Sequence, residues 1–383
     1  MKSNEFIARL RDGQYTRRDA LKTLGAMGFA VSAMPLGIRS AVAADNATYF
    51  TWGGYDDDGM FAPYIAKHGG PPNYVTFGDA EEGFTKMKAG FVVDITHPCS
   101  NDIPRWKDSG MFQAMDKGRL DHYGDLFGAL VNLQGASDGA GQWFMPFDWG
   151  ATSITYRTDL VDLQGKEESW EMLFDSRFKG RIAVIDSAAD TWYCMAILAG
   201  VDIGKPLTGA DIDKTNALMK KLRPQVRMFT NDMTSLSQAM ASGEIVMAIT
   251  WNETPVGLAG EGHAVRFASP KEGALTWCCG LMMHKDAPNL DGAYDIVNAM
   301  TSRETGVYII DWWGYGHSNS ESFKMADPGV LAQLGLDKDP IAYLNSGHMG
   351  IPQTDETETR INRDFEAVKT CLLYTSPSPR DRG

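Results

Sequence analysis

The stretch "GALTWCCGLMM" places Trp277 directly before two adjacent cysteines, Cys278 and Cys279. A tryptophan followed by two polarisable side chains could line a ligand site, and it could equally belong to an apolar strand with small residues packed inside. Because side chains alternate along a strand, Cys279 would share a face with Trp277, whereas Cys278 would face the core. A disulfide between neighbouring cysteines is uncommon, and a thiol-dependent enzyme would need an activating base beside the thiol.

Aromatic side chains are frequent, since the 383 residues include 10 tryptophans and 13 tyrosines. They could build the core or a surface on which a ligand stacks. An aromatic face attracts an alkylammonium group by roughly 0.5–2 kcal/mol, depending on desolvation. A buried ammonium also needs a hydrogen-bonded anion. Aromatic residues and acids in one cleft would therefore suit an amine.

Other kinds of chemistry lack their motifs in this sequence. There is no H-E-x-x-H, G-x-S-x-G or P-loop string. The spacing of Cys99, Cys194, Cys278 and Cys279 matches no zinc motif, and these four are too few for a disulfide scaffold. A net charge of -13 argues against a nucleic-acid partner, because phosphate binding needs a basic face. We expect no catalytic residue, no metal and no cofactor.

Strand and helix patterns alternate from residue 46 onward. The stretches "ATYFTW", "NYVTF" and "FVVDITH" read as strands, and two helical stretches separate them. This rhythm predicts a parallel sheet with ligands at the carboxyl ends of its strands, at Trp52, Phe77 and the turn His97 to Asn101. A second α/β block begins near "GATSITYRTDL" without a flexible linker. The sequence predicts two α/β lobes that close on a ligand by a hinge.

The two ends of the chain differ from the rest. Residues 1–44 contain "TRRDALK", a short apolar run and "AVAAD", the pattern of a twin-arginine signal peptide cleaved after Ala43 or Ala44. An N-terminal amphipathic helix or anchor is the alternative. A cleaved signal predicts a periplasmic protein without direct membrane insertion, folded before export, so that any disulfide forms late or not at all. Residues 371–383, "CLLYTSPSPRDRG", change composition abruptly and are interpreted as a non-native tail.

From about Tyr49 to about Lys369 the chain resembles the spermidine/putrescine-binding proteins, the periplasmic components of polyamine ABC importers. The motifs that carry the resemblance are "FTWGGY", "DITHPCSN", "GMFQAMDKGRL", "PFDWGAT", "SWEMLFDSRFKGRIAVIDSA", "ASGEIVMAITWNE", "SPKEGALTW" and "WWGYGHSN".

The resemblance implies an α/β, two-lobed periplasmic-binding-protein fold of type II, with crossover hinge strands and the ligand cleft between the lobes. One lobe would comprise residues 46–152 and 278–323, and the other residues 156–272 and 329–370. Such a protein acts as a monomer, delivers its ligand to a membrane permease and catalyses nothing.

In that family, aromatic side chains pack along the aliphatic body of the ligand. The resemblance assigns this role to five residues: Trp52, Tyr55, Trp251, Trp277 and Tyr315. Trp312 and Trp313 are interpreted as core at a helix end.

The turn that offers hydroxyl groups in polyamine binders here holds Cys99, Ser100 and Asn101. Of these, Asn101 can still donate and accept hydrogen bonds.

The chain differs from that family at the carboxylates that bind the amine. Asp190 matches one acid, Ser187 stands where a second acid is expected, and Cys279 stands where the third is expected. A neutral thiol cannot balance an ammonium, although a thiolate could. Asp148 or Glu253 could compensate, and each could equally face the hinge or solvent.

A polyamine or a related small amine is the leading ligand. With one matched acid, a smaller or monocationic amine or a quaternary ammonium compound becomes an alternative. An amino acid derivative would need a cation, and no arginine occupies the matched positions. A binder of the same fold for an anion or a metal, and an exported thiol-dependent enzyme, are the remaining alternatives.

Overall fold

The computed structural model describes residues 46–370, and the expected signal peptide and C-terminal tail lie outside them. The strands, numbered in chain order, are β1 (Thr48–Trp52), β2 (Asn73–Phe77), β3 (Ile95–Thr96), β4 (Phe112–Gln113), β5 (Ser137–Asp138), β6 (Gly141–Gln142), β7 (Met145–Arg157), β8 (Ile182–Ile185), β9 (Val226–Thr230), β10 (Met247–Trp251), β11 (Val265–Phe267), β12 (Leu275–His284), β13 (Gly316–His317) and β14 (His348–Met349).

The α-helices, numbered in the same way, are α1 (Ala62–His68), α2 (Ala80–Lys88), α3 (Ile103–Asp108), α4 (Gly128–Val131), α5 (Tyr193–Leu198), α6 (Gly209–Leu222), α7 (Met233–Ala241), α8 (Glu253–Gly260), α9 (Leu290–Met300), α10 (Arg303–Tyr308), α11 (Ser322–Met325), α12 (Pro328–Leu334), α13 (Pro340–Ser346) and α14 (Asp355–Thr370). None of these helices is long and apolar enough to cross a membrane.

The sheet has the strand order β2-β1-β3-β12-β7-β10-β8-β9. At one end β1 pairs in parallel with β2 and β3, which confirms the alternating pattern expected near the N-terminus. At the other end β8 pairs in parallel with β9 and β10. Parallel neighbours require crossover connections, and helices such as α1, α2, α6 and α7 supply them.

Two long antiparallel strands, β7 and β12, cross the middle of the sheet. They pair with each other from Leu275 opposite Thr152 to Leu281 opposite Met145. Of the 13 residues in β7, all but Arg157 are buried, as expected for a strand covered on both faces. These two strands connect the two α/β halves, so every side chain on their shared face lies near the junction between them.

The cores of the two halves differ in their aromatic content and position. One core packs Trp170 and Trp192 around β8, α5 and α6. A second packs Tyr49, Phe61 and Tyr64 around β1 and α1, and a third includes Trp106 and Trp149. Many of the large aromatic side chains in residues 46–370 are therefore structural.

Candidate functional site

The shared face of three antiparallel strands forms the floor of the candidate site. Thr152 of β7 lies opposite Trp251 of β10 and Leu275 of β12. Two residues further along, Trp277 lies opposite Gly150. Opposed residues of an antiparallel pair point to the same face, as do residues two apart on one strand. Trp251, Trp277 and the β7 residues therefore share one strip of sheet.

The strip continues to Cys279, which lies opposite Asp148. Thr152 and Asp148 are four residues apart, which corresponds to about 13 Å along a strand. The strip is therefore long enough for a small extended ligand, with Trp277 near its middle.

Asp190 lies at the Thr152 end of the strip. Its Oδ1 accepts hydrogen bonds from Thr152 Oγ1 and from Trp251 Nε1, each at 2.8 Å. Burial raises the pKa of Asp190, and the hydrogen bonds from Trp251, Thr152 and Ser187 oppose that rise. Part of the residue's surface remains accessible, so this carboxylate is enclosed by protein yet open to a ligand.

Asp190 is positioned by a π-helical turn, Ala188–Trp192, that leads directly into α5. Such turns place one more residue in the helical circuit than an α-helix does, and they are frequent at functional sites. Ser187, which stands in the expected position of an acid, immediately precedes the turn and helps to hold Asp190.

Glu253 is the second acid at this end, and it begins α8 directly after the Trp251 strand. Its Oε2 accepts a hydrogen bond of 2.5 Å from the Tyr315 hydroxyl. Burial raises the pKa of Glu253 to about 7, and the nearby Asp190 carboxylate adds to that rise. Near neutral pH, Glu253 is therefore divided between its protonated and ionised forms.

Four aromatic rings form a continuous wall. The centroid of Trp277 lies 5.1 Å from that of Tyr315, with the rings edge to face. Tyr315 lies 6.0 Å from Trp313, which lies 5.1 Å from Tyr55. The Trp277 ring also covers Gly150, where an added Cβ would come within 2.8 Å of Trp277 Cζ2. Only glycine at this position lets the indole lie against the strand.

The sequence predicts Trp313 as helix-end core. The structure packs it, partly buried, against the core around β1 and α1, and also places it between Tyr55 and Tyr315. Trp312, given the same interpretation, is 60% exposed, so the core prediction is wrong for it. A π-helical turn, Ile309–Trp313, ends at Gly314, whose φ of 68° is left-handed. The "WWGYG" stretch signals that break in the helix, but it does not reveal which tryptophan turns inward.

Asp148 differs from the other two acids because it is completely buried. Its Oδ2 accepts a hydrogen bond from the Tyr55 hydroxyl, and its Oδ1 lies 3.2 Å from His97 Nε2. His97 Nδ1 lies 2.8 Å from the Tyr49 hydroxyl, so Nε2 is the nitrogen that donates to Asp148. Asp148 therefore fixes Tyr55 and His97 and presents no free carboxylate to the cleft.

Cys99 and Cys279 form a disulfide. The idea of a disulfide between Cys278 and Cys279 is therefore wrong, and Cys279 cannot supply a thiolate. Cys278 is buried and unbonded, as the strand alternation predicted, and Cys194 is likewise buried. Burial raises the pKa of both free thiols well above the usual value, and the charges of Asp190 on Cys194 and of Asp148 on Cys278 add to the rise. Both effects oppose the thiolate that a thiol-dependent enzyme needs.

The disulfide connects β12 to the turn that follows β3. Trp52 Nε1 donates a hydrogen bond of 2.8 Å to the backbone oxygen of His97 in the same turn. Ser100 is buried and Asn101 is partly exposed, both in a short 3-10 turn, Ser100–Asp102. The acid of this turn, Asp102, has Glu358, Arg105 and Glu81 as its charged neighbours and no residue of the strip among them.

Contacts join most of the 13 candidate residues into groups: Asp190 with Ser187 and Trp251; Glu253, Tyr315 and Trp277 with Tyr55 and Asp148 by way of Trp313; and Cys99 with Cys279. No group of three or more potential metal ligands occurs in the described part of the chain. A surface cavity of about 710 Å³, lined by residues that include Phe84, Arg105 and Asp355, contains none of these candidates.

Comparison with known proteins gives the family. The model of the bacterial extracellular solute-binding proteins matches residues 59–332. The spermidine/putrescine-binding periplasmic protein of Escherichia coli is 25% identical over 314 residues, which cover 81% of this chain and 88% of the relative. The putrescine/agmatine-binding protein of Pseudomonas aeruginosa is 25% identical over 293 residues, which cover 72% of this chain and 77% of the relative.

Among solved structures, a putative spermidine/putrescine ABC transporter protein from Listeria monocytogenes superposes with a TM-score of 0.77 at 21% identity. The match covers 85% of this chain and 99% of that one. It confirms the two-lobed periplasmic-binding-protein fold of type II expected from the sequence.

Proposed function

The chain belongs to the bacterial extracellular solute-binding protein family, and on this basis we propose that it binds a small amine of the polyamine type and delivers it to the permease of an ABC importer. The observation that carries the proposal is Asp190, a partly accessible carboxylate held by Thr152 and Trp251 beside an aromatic wall. An enclosed anion next to aromatic faces suits an alkylammonium group.

The charges around the cleft support a cation rather than an anion. Asp190 and Glu253 lie close enough for each other's charge to matter, and neither is bonded to a lysine or an arginine in the described residues. Two neighbouring acids without a basic partner leave a negative potential that a bound ammonium would neutralise. An anionic ligand would meet repulsion there and would find no positively charged group to bind.

We propose the lobe boundaries that the sequence suggested, 46–152 with 278–323 and 156–272 with 329–370. With these boundaries the Tyr315–Glu253 hydrogen bond joins the lobes, as does a bond of 3.1 Å from Asn231 Nδ2 to the backbone oxygen of Gly78. Such contacts would form when a hinge closes on its ligand.

We also propose that the protein works as a monomer in the periplasm after twin-arginine export. The curated relatives named above include a periplasmic protein, and the "TRRDALK" stretch supports this route. Fusion of residues 1–44 to a reporter that is active only after twin-arginine export would test it.

A titration of the purified protein tests the ligand class. Putrescine, spermidine and agmatine should raise the melting temperature, because a ligand at about 100 times its Kd stabilises by about 2.7 kcal/mol. Inorganic anions and divalent metal ions should not.

Asp190→Asn should weaken amine binding by at least about 30-fold, which corresponds to about 2 kcal/mol for a charge-assisted hydrogen bond. Asp202→Asn, in an exposed ion pair with Lys205, serves as the matched control and should leave affinity unchanged. Equal affinities in the two variants would remove Asp190 from the site, and the lack of any response to amines would overturn the proposed ligand class.

A further inference from the structure

We propose that the preferred ligand is not a symmetrical diamine but a short monoamine, with its ammonium at Asp190 and Glu253 and an uncharged, oxygen-bearing tail directed along the strip past Trp277 toward the Cys99–Cys279 disulfide. This inference rests on the proposed function and narrows its ligand class. It follows from the unequal chemistry of the two ends of the strip.

The first end of the strip carries negative charge that a ligand can reach. Asp190 and Glu253 are both partly accessible and lie beside Trp251 and Tyr315. A single ammonium can donate up to three hydrogen bonds, which suits two acids in one place. Glu253 directly follows the Trp251 strand and the charge of Asp190 acts on it, so in this proposal both acids serve one cation. Neither acid is then left for a second cation.

The far end of the strip, at Cys279 and Asp148, offers no charge that a ligand can reach. Cys279 is bonded to Cys99, and a disulfide offers neither a charge nor a strong hydrogen-bond acceptor. Asp148, opposite Cys279, is completely buried and already accepts hydrogen bonds from Tyr55 and His97. A second ammonium placed here would lose its hydration and gain no counter-ion.

The middle of the strip contains a donor without a partner. Trp277 Nε1 is buried and makes no hydrogen bond within the described residues. An indole N–H and a protonated amine are both hydrogen-bond donors and neither can accept, so the two cannot pair. A hydroxyl or amide oxygen on the ligand could accept from Nε1. A carboxylate tail would need a cation, and none contacts these side chains among the described residues.

Isothermal titration of the mature protein with four probes that share a four-carbon amine chain tests this inference. The probes are 4-amino-1-butanol, N-acetylputrescine, putrescine and n-butylamine. We expect one of the two oxygen-bearing monoamines to bind at least about 10-fold more tightly than putrescine, the difference that one well-placed hydrogen bond makes. If putrescine binds more tightly than both, the inference is overturned while the proposed amine function stands. If no amine binds, both fail.

Two sets of variants test which side chains produce the preference among these amines. Trp277→Phe keeps an aromatic wall and removes the donor, so it should reduce the preference for the oxygen-bearing probe over n-butylamine. Cys99→Ser/Cys279→Asp should shift preference toward putrescine, and Cys99→Ser/Cys279→Ser is its uncharged control. An unchanged ranking in Trp277→Phe would refute the role of Nε1. If the cysteine variants do not fold, the ranking in the natural protein still decides.

Discussion

The affinity for a cationic ligand should fall as the solution is made more acidic, because Glu253 must be ionised to help hold an ammonium. In the free protein, burial raises the pKa of Glu253 to about 7. A bound ammonium favours the ionised form and lowers that pKa. Binding therefore releases a proton wherever the free carboxyl is protonated.

The magnitude follows from the ionised fraction. With a pKa of about 7, the ionised fraction of Glu253 is roughly 0.9 at about pH 8 and roughly 0.1 at about pH 6. If only the ionised form binds, affinity falls by about 10-fold across this interval, and about half a proton is released per ligand near pH 7. Acidification also acts on Asp190, whose pKa is raised in the same direction.

Tyr55, Tyr315 and His317, which lie beside the site, do not titrate in this interval. Burial, together with the neighbouring acids, raises the pKa of Tyr55 and Tyr315 well above their usual value, so both hydroxyls stay protonated. Burial lowers the pKa of His317 to about 4, so this imidazole stays neutral. A dependence centred near pH 7 would therefore not come from these three groups, and the Glu253→Gln variant assigns it.

Titration calorimetry in buffers of different ionisation enthalpy measures both the affinity and the proton release. Glu253→Gln keeps an oxygen that can accept from Tyr315 but cannot ionise. It should bind more weakly at about pH 8 and lose the pH dependence. A natural protein whose affinity is constant between about pH 6 and about pH 8 would refute the reasoning, as would a dependence that persists in Glu253→Gln.

The same substitution should stabilise the ligand-free protein at high pH. Because the folded-state pKa of Glu253 exceeds the ordinary value of 4.5, its contribution to stability is present below that value and is lost as pH rises through about 7. At about pH 8, Glu253→Gln should raise the free energy of unfolding by about 1–2 kcal/mol, a figure reduced for the partial exposure of the carboxyl. Urea unfolding at that pH measures it, and a destabilised variant would contradict the assigned burial.

Two further predictions concern the strip itself. Gly150→Ala should displace the Trp277 indole, which should cost about 1–3 kcal/mol of stability and at least about 10-fold in ligand affinity. Gly124→Ala, with open space around it, is the control and should change neither urea unfolding nor ligand affinity. Native affinity in Gly150→Ala would show that the indole does not need its place over the strand. Breaking the Cys99–Cys279 disulfide, which closes a loop with a sequence separation of 180, should lower the free energy of unfolding by about 2–5 kcal/mol. Unfolding with and without reductant measures this loss, Cys99→Ser should behave like the reduced protein, and identical midpoints would argue that the bond adds nothing.

Local patterns predicted most of the elements but not their lengths. The expected strands "ATYFTW" and "NYVTF" became β1 and β2, because buried β-branched and aromatic residues bounded by turns favour parallel strands. The equally apolar "FVVDITH" retained only Ile95–Thr96 as strand. The number of residues that pair depends on the neighbouring strand, and the sequence of one segment does not contain that information.

The site was predictable where a side chain's role depends on its position along a strand, and unpredictable where it depends on a distant partner. Trp251, Trp277 and Asp190 follow or occupy strands at the junction, so their grouping could be expected. The pairing of Cys99 with Cys279 could not, since spacing alone does not fix disulfide connectivity. Nor could sequence position reveal that Asp148 is completely buried while Glu253 remains partly accessible.

The three acids near the cleft share one arrangement, in that each accepts a hydrogen bond from an aromatic side chain of the candidate site. Tyr55 donates to Asp148, Tyr315 to Glu253 and Trp251 to Asp190. The rings on which a ligand would stack are therefore oriented by the carboxylates that would balance its charge. Replacing any one of these aromatic residues removes a stacking surface and also leaves an acid with one donor fewer. Because the two effects share a residue, their energies cannot be added as if they were independent. We therefore expect selectivity to depend on aromatic–acid pairs, two of them accessible at the Asp190 end and one completely buried beside the disulfide.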